Sequence, residues 1–389
     1  MMQNYRVLRQ PELRFRRGAF RQIGELLKEQ GYVKPILVTG GRSIRGREEW
    51  SAAQESLLEH GYEFLEYTVR GEPGPDLING AVQEILRDAA EADVVVTVGG
   101  GSVTDAGKAI AAGTAMGTET VSFDITRYLE GVGDTKPDGR TLPLIAFPTT
   151  AGTGSESTMN AVIRRIGPGG FKKSLRHPRY VPSLAIIDAD LHLGCPPDVT
   201  RASGLDAITQ LLEAYLSTAA NPVTDALALL GLESAGRTYP YLASGDDSVE
   251  LRVDMALAAY LSGVCLATAG LGVVHGYASP LGSARDVPHG VVCGLLVGPV
   301  TRHTLSGRYA ERRDGTMERY AFAARALGLG EDATALPDVF DRWAQPLGRL
   351  RDYGFDRDDL PDLVAATGLK NHPVELDKSA LRDILEEVL

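Results

Sequence analysis

The chain has 389 residues, 43% hydrophobic and 23% charged, the usage of an ordinary globular protein long enough for two domains. Its 51 acidic and 40 basic residues give a formal net charge of −11, which argues against a nucleic-acid partner and leaves room only for a local basic pocket. Three cysteines (Cys195, Cys265 and Cys293) with no C-x-x-C spacing speak against a disulfide framework or a structural zinc site, and fit a reducing cytoplasm.

The opening stretch MMQNYRVLRQPELRFRRGAF lacks the apolar run of a secretory signal. Strand and helix patterns then alternate. KPILVTG (34–40) reads as a strand ending in glycine, WSAAQESLLEHGY (50–62) as a helix closed by Gly61, and EFLEYTV (63–69) as a strand. Residues 76–92 read as an amphipathic helix with Asp76 as its N-cap. DVVVTVGGG (93–101), LPLIAFPTT (142–150) and SLAIIDADL (183–191) are near-continuous apolar strands. Such alternation predicts a mostly parallel, Rossmann-like sheet covered on both faces. Strand signals fade after about residue 192, and helix patterns follow at 203–218, 223–239, 249–269, 315–328, 335–347 and 378–388. The sequence therefore predicts an α/β N-terminal domain over 1–190 and an all-α C-terminal domain over 191–389. The charged stretch RDYGFDRDDLPD (351–362) reads as a solvated loop. Residues 255–274 carry no charge and are long enough to span a bilayer, but Gly263, Gly270 and Gly272 interrupt them, alanine dominates, and no second span exists. A buried core helix in a protein without a membrane partner is the expectation.

VVVTVGGGSVTDAGKAIA (94–111) runs from a strand through Gly99, Gly100, Gly101 and Ser102 into a helix starting near Val103. Glycines admit a ligand to the backbone, and a helix N-terminus offers N–H groups to an anion. The Walker A spacing fails, and Thr104 stands at the third glycine of a dinucleotide fingerprint. The order of strand, glycines and helix still favours phosphate binding over a bare βα turn. A second loop, FPTTAGTGSEST (147–158), adds the hydroxyls of Thr149, Thr150, Thr153 and Ser155. At the end of the first strand, VTGGRSIRGR (38–47) holds no acid for a ribose 2′-OH. Gly40, Gly41, Arg42 and Ser43 leave room there, and Arg42 can pair with a phosphate, so NADP(H) is favoured over NAD(H).

GLDAITQLLEAY (204–215) places Asp206 and Gln210 four apart on one helix face, free to bond each other or a third group. Two of the seven histidines share a context, VVHG (His275) and VPHG (His289). One Asp and two His suit a divalent transition metal, although two satisfied core histidines would look the same.

GGGSVTDAGKAI, FPTTAGTGSE, GLDAITQLLEAY and HGYASPLGSARDVPHG, in this order, resemble the iron-containing (group III) alcohol dehydrogenase family over about residues 5–389. The resemblance implies the dehydroquinate-synthase-like fold, NAD or NADP in the first domain, and a divalent metal, usually iron, in the cleft. It also implies alcohol–aldehyde or alcohol–ketone interconversion by hydride transfer, and a homodimer. The family's ligands are one Asp and three His. Asp206, His275 and His289 match three of them, and Gln210 stands where the remaining histidine is usual. Gln210 can give its amide oxygen to a metal, so a hard, loosely held or absent metal follows from the same resemblance. Gly100, Gly101 and Ser102 are implied at the pyrophosphate, and Asp105, a catalytic candidate with Asp206, His275 and His289, near the nicotinamide. Thr149, Thr150 and Thr153 are implied at adenine and ribose, with Asn160 and Lys172 (or the adjacent Lys173) completing the pocket. Ser279 replaces a histidine often present in the family, leaving water, the substrate oxygen or the cofactor ribose to pass the proton.

Two other functions share these features. A dehydroquinate-synthase-like cyclase or lyase would need a dense basic set, for which FKKSLRHPR (171–179) is a candidate. A non-catalytic nucleotide-binding protein would explain Gln210 and Ser279. Acidic aldehydes are a substrate class that Arg285 or the 171–179 stretch would suit.

Overall fold

The computed structural model describes residues 4–117, 123–306 and 315–389. Its first half alternates: β1 (Glu12–Phe15), α1 (Ile23–Gln30), β2 (Pro35–Thr39), α2 (Arg42–Arg45), α3 (Glu48–Glu59), β3 (Leu65–Thr68), α4 (Pro75–Asp88), β4 (Val94–Gly99), α5 (Gly101–Met116), β5 (Leu144–Pro148), β6 (Asn160–Arg165), β7 (Phe171–Arg176) and β8 (Leu184–Ile187). Strands β1, β8, β5, β4, β2 and β3 lie side by side in that order and pair in parallel. Every residue of β2, β4, β5 and β8 is buried, which explains their unbroken apolar runs. Alternate side chains feed two cores: Ile36, Val38 and Val95 enter one, and Leu37, Val94, Val96 and Val98 enter the other. This is the Rossmann-like α/β half expected from the sequence.

The second half is helical: α6 (Pro197–Leu216), α7 (Pro222–Ser244), α8 (Val249–Ala269), α9 (Val274–Ala284), α10 (His289–Leu305), α11 (Thr316–Ala326), α12 (Leu336–Ala344), α13 (Leu360–Ala366) and α14 (Lys378–Val388). One core unites them. Helix α8 is long and apolar enough to cross a membrane, but 61% of its most apolar window is buried inside the protein, as a core helix requires.

Several local expectations need correction. Asp76 is not the N-cap of α4: Gly74 is, because Pro75 takes the first helical position, and Asp76 sits in the first turn where the helix dipole favours it. Helix α5 begins at Gly101, with Gly100 as N-cap, rather than near Val103. The polar edge strand β1, the antiparallel hairpin β6–β7 and helices α9, α10 and α13 gave no clear sequence signal. Pro280 and Pro299 lie inside α9 and α10, where propensity argues against a helix. Residues 351–362 are not simply a solvated loop, since Phe355 and Leu360 are buried.

A close joint fixes the sheet to the helices. Gly154 has φ +59°, and a Cβ there would come 2.5 Å from the Ala259 carbonyl oxygen and 2.6 Å from the Gly263 nitrogen. Ser157 Oγ donates to the Tyr260 carbonyl at 3.0 Å. The second phosphate-friendly loop is thereby pinned onto α8.

Candidate active site

The sheet side of the cleft is built from backbone. At Gly99 a Cβ would strike Val103 Cγ2 at 2.4 Å, at Gly100 it would press on Thr150 Oγ1 at 3.0 Å, and at Gly101 it would strike Thr153 Oγ1 at 2.3 Å. Gly100 and Gly101 are therefore required first by the packing of the two loops against each other, and Gly99 by the turn into α5. No side chain caps the α5 N-terminus, and Gly101 and Ser102 line a cavity of about 240 Å³. An uncapped N-terminus facing a cavity is suited to an anion.

Asp105, Thr153, Asn160 and Lys172 line the same cavity. Both Asp105 oxygens are engaged: Ser155 Oγ donates to one, the Val162 N–H to the other at 3.1 Å, and Lys108 Nζ lies 3.3 Å away. Asn160 turns in from the start of β6, with a buried side-chain oxygen that has no partner. In β7 Lys172 faces the cavity, paired with Glu72 at 2.7 Å, and Lys173 is exposed. Thr149 donates its N–H to the Gly99 carbonyl at 3.0 Å. Thr149, Thr150 and Gly100 do not line the cavity itself, nor do Gly40, Gly41 and Ser43. Gly40 and Gly41 lie at the C-terminal end of β2, next to Thr39, whose Oγ1 donates to Glu66 at 3.0 Å, and Glu66 pairs with Arg45 at 2.6 Å. The Arg42 side chain lies outside the described residues.

The helix side is built from side chains. Asp206 on α6, His275 on α9 and His289 on α10 converge, although they are spread over positions 206 to 289. His275 Nε2 lies 3.4 Å and His289 Nε2 3.6 Å from Asp206 Oδ1. Neither contact has hydrogen-bond geometry, so Oδ1 is buried without a partner. Gln210 is adjacent, and its amide oxygen accepts from Ser262 Oγ at 3.3 Å. Burial opposes ionisation of Asp206, but His289, His275 and Gln210 outweigh it and hold the carboxyl well below the usual range. Burial keeps His289 neutral, at about 4.

Three neighbours escaped the sequence reading. Glu213, one turn beyond Gln210 on α6, accepts from His275 Nδ1 at 2.7 Å and from the Val274 N–H at 2.7 Å. Its spacing of seven from Asp206 was the available signal. Cys293 Sγ lies 3.5 Å from His275 Nε2 and 3.8 Å from His289 Nε2. Only its place four residues after His289 hinted at this, and the absence of any C-x-x-C pointed away from it. Lys370, left-handed at φ 51°, lines the cavity from a loop that carries no motif. Arg285, by contrast, pairs with Asp359 at 2.9 Å, lies over Phe355 and does not line the cavity.

These residues fit a cation. An unpartnered buried carboxylate oxygen faces the Nε2 atoms of two imidazoles, and His275 donates from Nδ1 to a carboxylate as metal-bound histidines do, while His289 Nδ1 is buried without a partner. An uncapped helix N-terminus on one wall of the cleft and a cluster of metal-ligating side chains on the other are compatible with a nicotinamide-dependent oxidoreductase. The profile of the family "Iron-containing alcohol dehydrogenase" matches residues 10–189, and that of "Fe-containing alcohol dehydrogenase family, C-terminal" matches residues 200–389. The chain belongs to the iron-containing alcohol dehydrogenase family. It is similar to alcohol dehydrogenase 4 of Saccharomyces cerevisiae (strain YJM789), with 31% identity over 382 residues, 96% of this chain and 95% of that one. It is 31% identical over 371 residues to lactaldehyde reductase of Escherichia coli (strain K12), covering 90% of each. Its fold superposes on sulfoacetaldehyde reductase from Bifidobacterium kashiwanohense in complex with NAD+ with a TM-score of 0.82 and 25% identity, covering 100% of this chain and 99% of the other.

Proposed function

We propose that this dehydrogenase reduces short-chain aldehydes, or oxidises the matching alcohols, in the cleft between a nucleotide-binding unit at 1–190 and a helical metal-holding unit at 191–389. The observation that carries this reading is a single cavity lined by Gly101 and Ser102 on one side and His275 and His289 on the other. Asp206, His275 and His289 would hold a divalent cation, and Gly100, Gly101 and Ser102 the pyrophosphate of the cofactor. When bound, the cation supplies Lewis-acid polarisation of a carbonyl oxygen, and the nicotinamide supplies or takes the hydride.

The chain's own residues then act as follows. Glu213 orients His275 by accepting from Nδ1, and Nε2, facing Asp206, would give up its proton when a cation binds. Asp105 acts as a positioning residue, since its oxygens tie α5 to β6 and to the second loop. Leu266, Leu271 and Ala278 make the cavity apolar around the reacting carbon. Ser279 Oγ donates to the Lys172 carbonyl at 2.9 Å, so proton exchange falls to water or the cofactor ribose. The engagement of Glu66 by Arg45, and the bare backbone at Gly40 and Gly41, support acceptance of NADP(H). We also read the protein as a cytoplasmic homodimer. The outer edge of β1 has no partner strand among the described residues, which supports pairing with a second copy.

Purified protein assayed with NADH and with NADPH on a panel of short aldehydes tests the reading. One reduced nicotinamide should be consumed per aldehyde. Cofactor binding without net consumption would overturn it in favour of a cyclase or a binding protein.

A further inference from the structure

Asp206 and Gln210 are one helical turn apart, and so are His289 and Cys293. In the first pair the amide oxygen is spent on Ser262. In the second the sulfur points at the cluster. Four atoms, one each from Asp206, His275, His289 and Cys293, lie within 4.8 Å of one another. For a tetrahedral ion with bonds of about 2.0–2.1 Å to nitrogen and oxygen and about 2.3 Å to sulfur, neighbouring donors lie about 3.3 Å (N···O) and about 3.5 Å (N···S) apart. The observed N···O separations are 3.4 and 3.6 Å, and the N···S separations are 3.5 and 3.8 Å. Four of the six donor separations thus already match those of a bound cation. The Asp206 carboxylate, 1% exposed, has one oxygen without a hydrogen-bond partner, and it faces the other three donors.

We propose that Cys293 supplies the fourth donor, so that Asp206, His275, His289 and the Cys293 thiolate take a thiophilic divalent cation, zinc(II) or a close analogue. This rests on the metal-assisted reading given above. The metal–sulfur bond forms as the thiol proton passes to solvent, with no change of oxidation state. Gln210 then braces Asp206 from outside the ligand set, and a soft donor replaces the imidazole that its position lacks.

The test is to strip the full chain with a chelator, load it with cobalt(II) and record its absorption for wild type, Cys293→Ser and Cys293→Ala. Wild type should show a sulfur-to-cobalt charge-transfer band in the near ultraviolet. Both variants should lose the band, and their cobalt affinity by chelator competition should fall at least about tenfold. Metal-free melting curves that match wild type establish that the variants fold, and the wild-type spectrum decides the case even if they do not. Cobalt uptake by wild type without the band, or a band that persists in Cys293→Ser, overturns the assignment to Cys293 and leaves the Asp206, His275 and His289 reading standing. No cobalt uptake by wild type overturns both.

Discussion

The two walls of the cleft are made of different material. On the sheet side the polar groups facing the cavity are offered by the uncapped start of α5, and the shape is set by places where no Cβ fits, at Gly99, Gly101 and Gly154. On the helix side the working groups are side-chain donors on α6, α9 and α10, held by the packing of those helices and by Glu213 behind His275. The difference shows in what each wall tolerates. A backbone wall accepts many side chains but not the loss of a glycine. A side-chain wall accepts changes in its scaffold but not in its donors or in the groups that orient them.

Gly154→Ala strains the backbone wall most. It combines an unfavourable φ with a Cβ driven into α8, and should cost about 3 kcal/mol and lower the melting temperature by several degrees. An unchanged melt would mean that this wall is not limited by shape. Glu156, buried within the second loop, gives a second test of that wall. Burial pushes its carboxyl up to about 7, against the attraction of Lys108, from an ordinary value of 4.5. The folded state therefore holds this proton where the unfolded state has released it, and stability falls as pH rises between those values. From pH 5 to 8 the group should remove about 2 kcal/mol, and Glu156→Gln should flatten that slope in denaturant titrations. Parallel profiles for the two proteins would show that Glu156 ionises without cost.

On the side-chain wall, Glu213→Gln keeps shape but weakens the acceptor for His275 Nδ1. Metal affinity by chelator competition should fall about 10- to 100-fold with the fold intact. Equal affinity would make Glu213 a packing residue. The smallest expected effect returns to the sheet. Gly40→Asp places a carboxylate at the end of β2, where the nearest atom is Val103 Cγ2 at 3.8 Å, and should shift the ratio of kcat/KM for NADH over NADPH about tenfold towards NADH. No shift would place the adenosine ribose elsewhere.

The same contrast governs what could be read from the sequence. The parallel sheet was legible because strands buried on both faces leave unbroken apolar runs, as in β4 and β5. The glycine turn was legible because close packing demands glycine at consecutive positions. The helix-side donors were only partly so. Asp206 with Gln210 stood out as polar groups in an apolar helix, and His275 with His289 as a matched pair, but nothing local told that α9 and α10 bring them together. Both helices carry an internal proline. Cys293 stayed hidden because a buried cysteine is more often a small core residue than a ligand. Its meaning lies in a distance to His275 that no spacing rule encodes. Lys370 gave no signal, since its place at the cavity depends on where one loop crosses it.

The most direct test of the account is turnover by wild-type protein stripped of metal. Consumption of reduced nicotinamide with a short aldehyde should stop on chelation and return when a divalent cation is added back. Turnover that continues undiminished in protein shown by elemental analysis to be free of metal would contradict it.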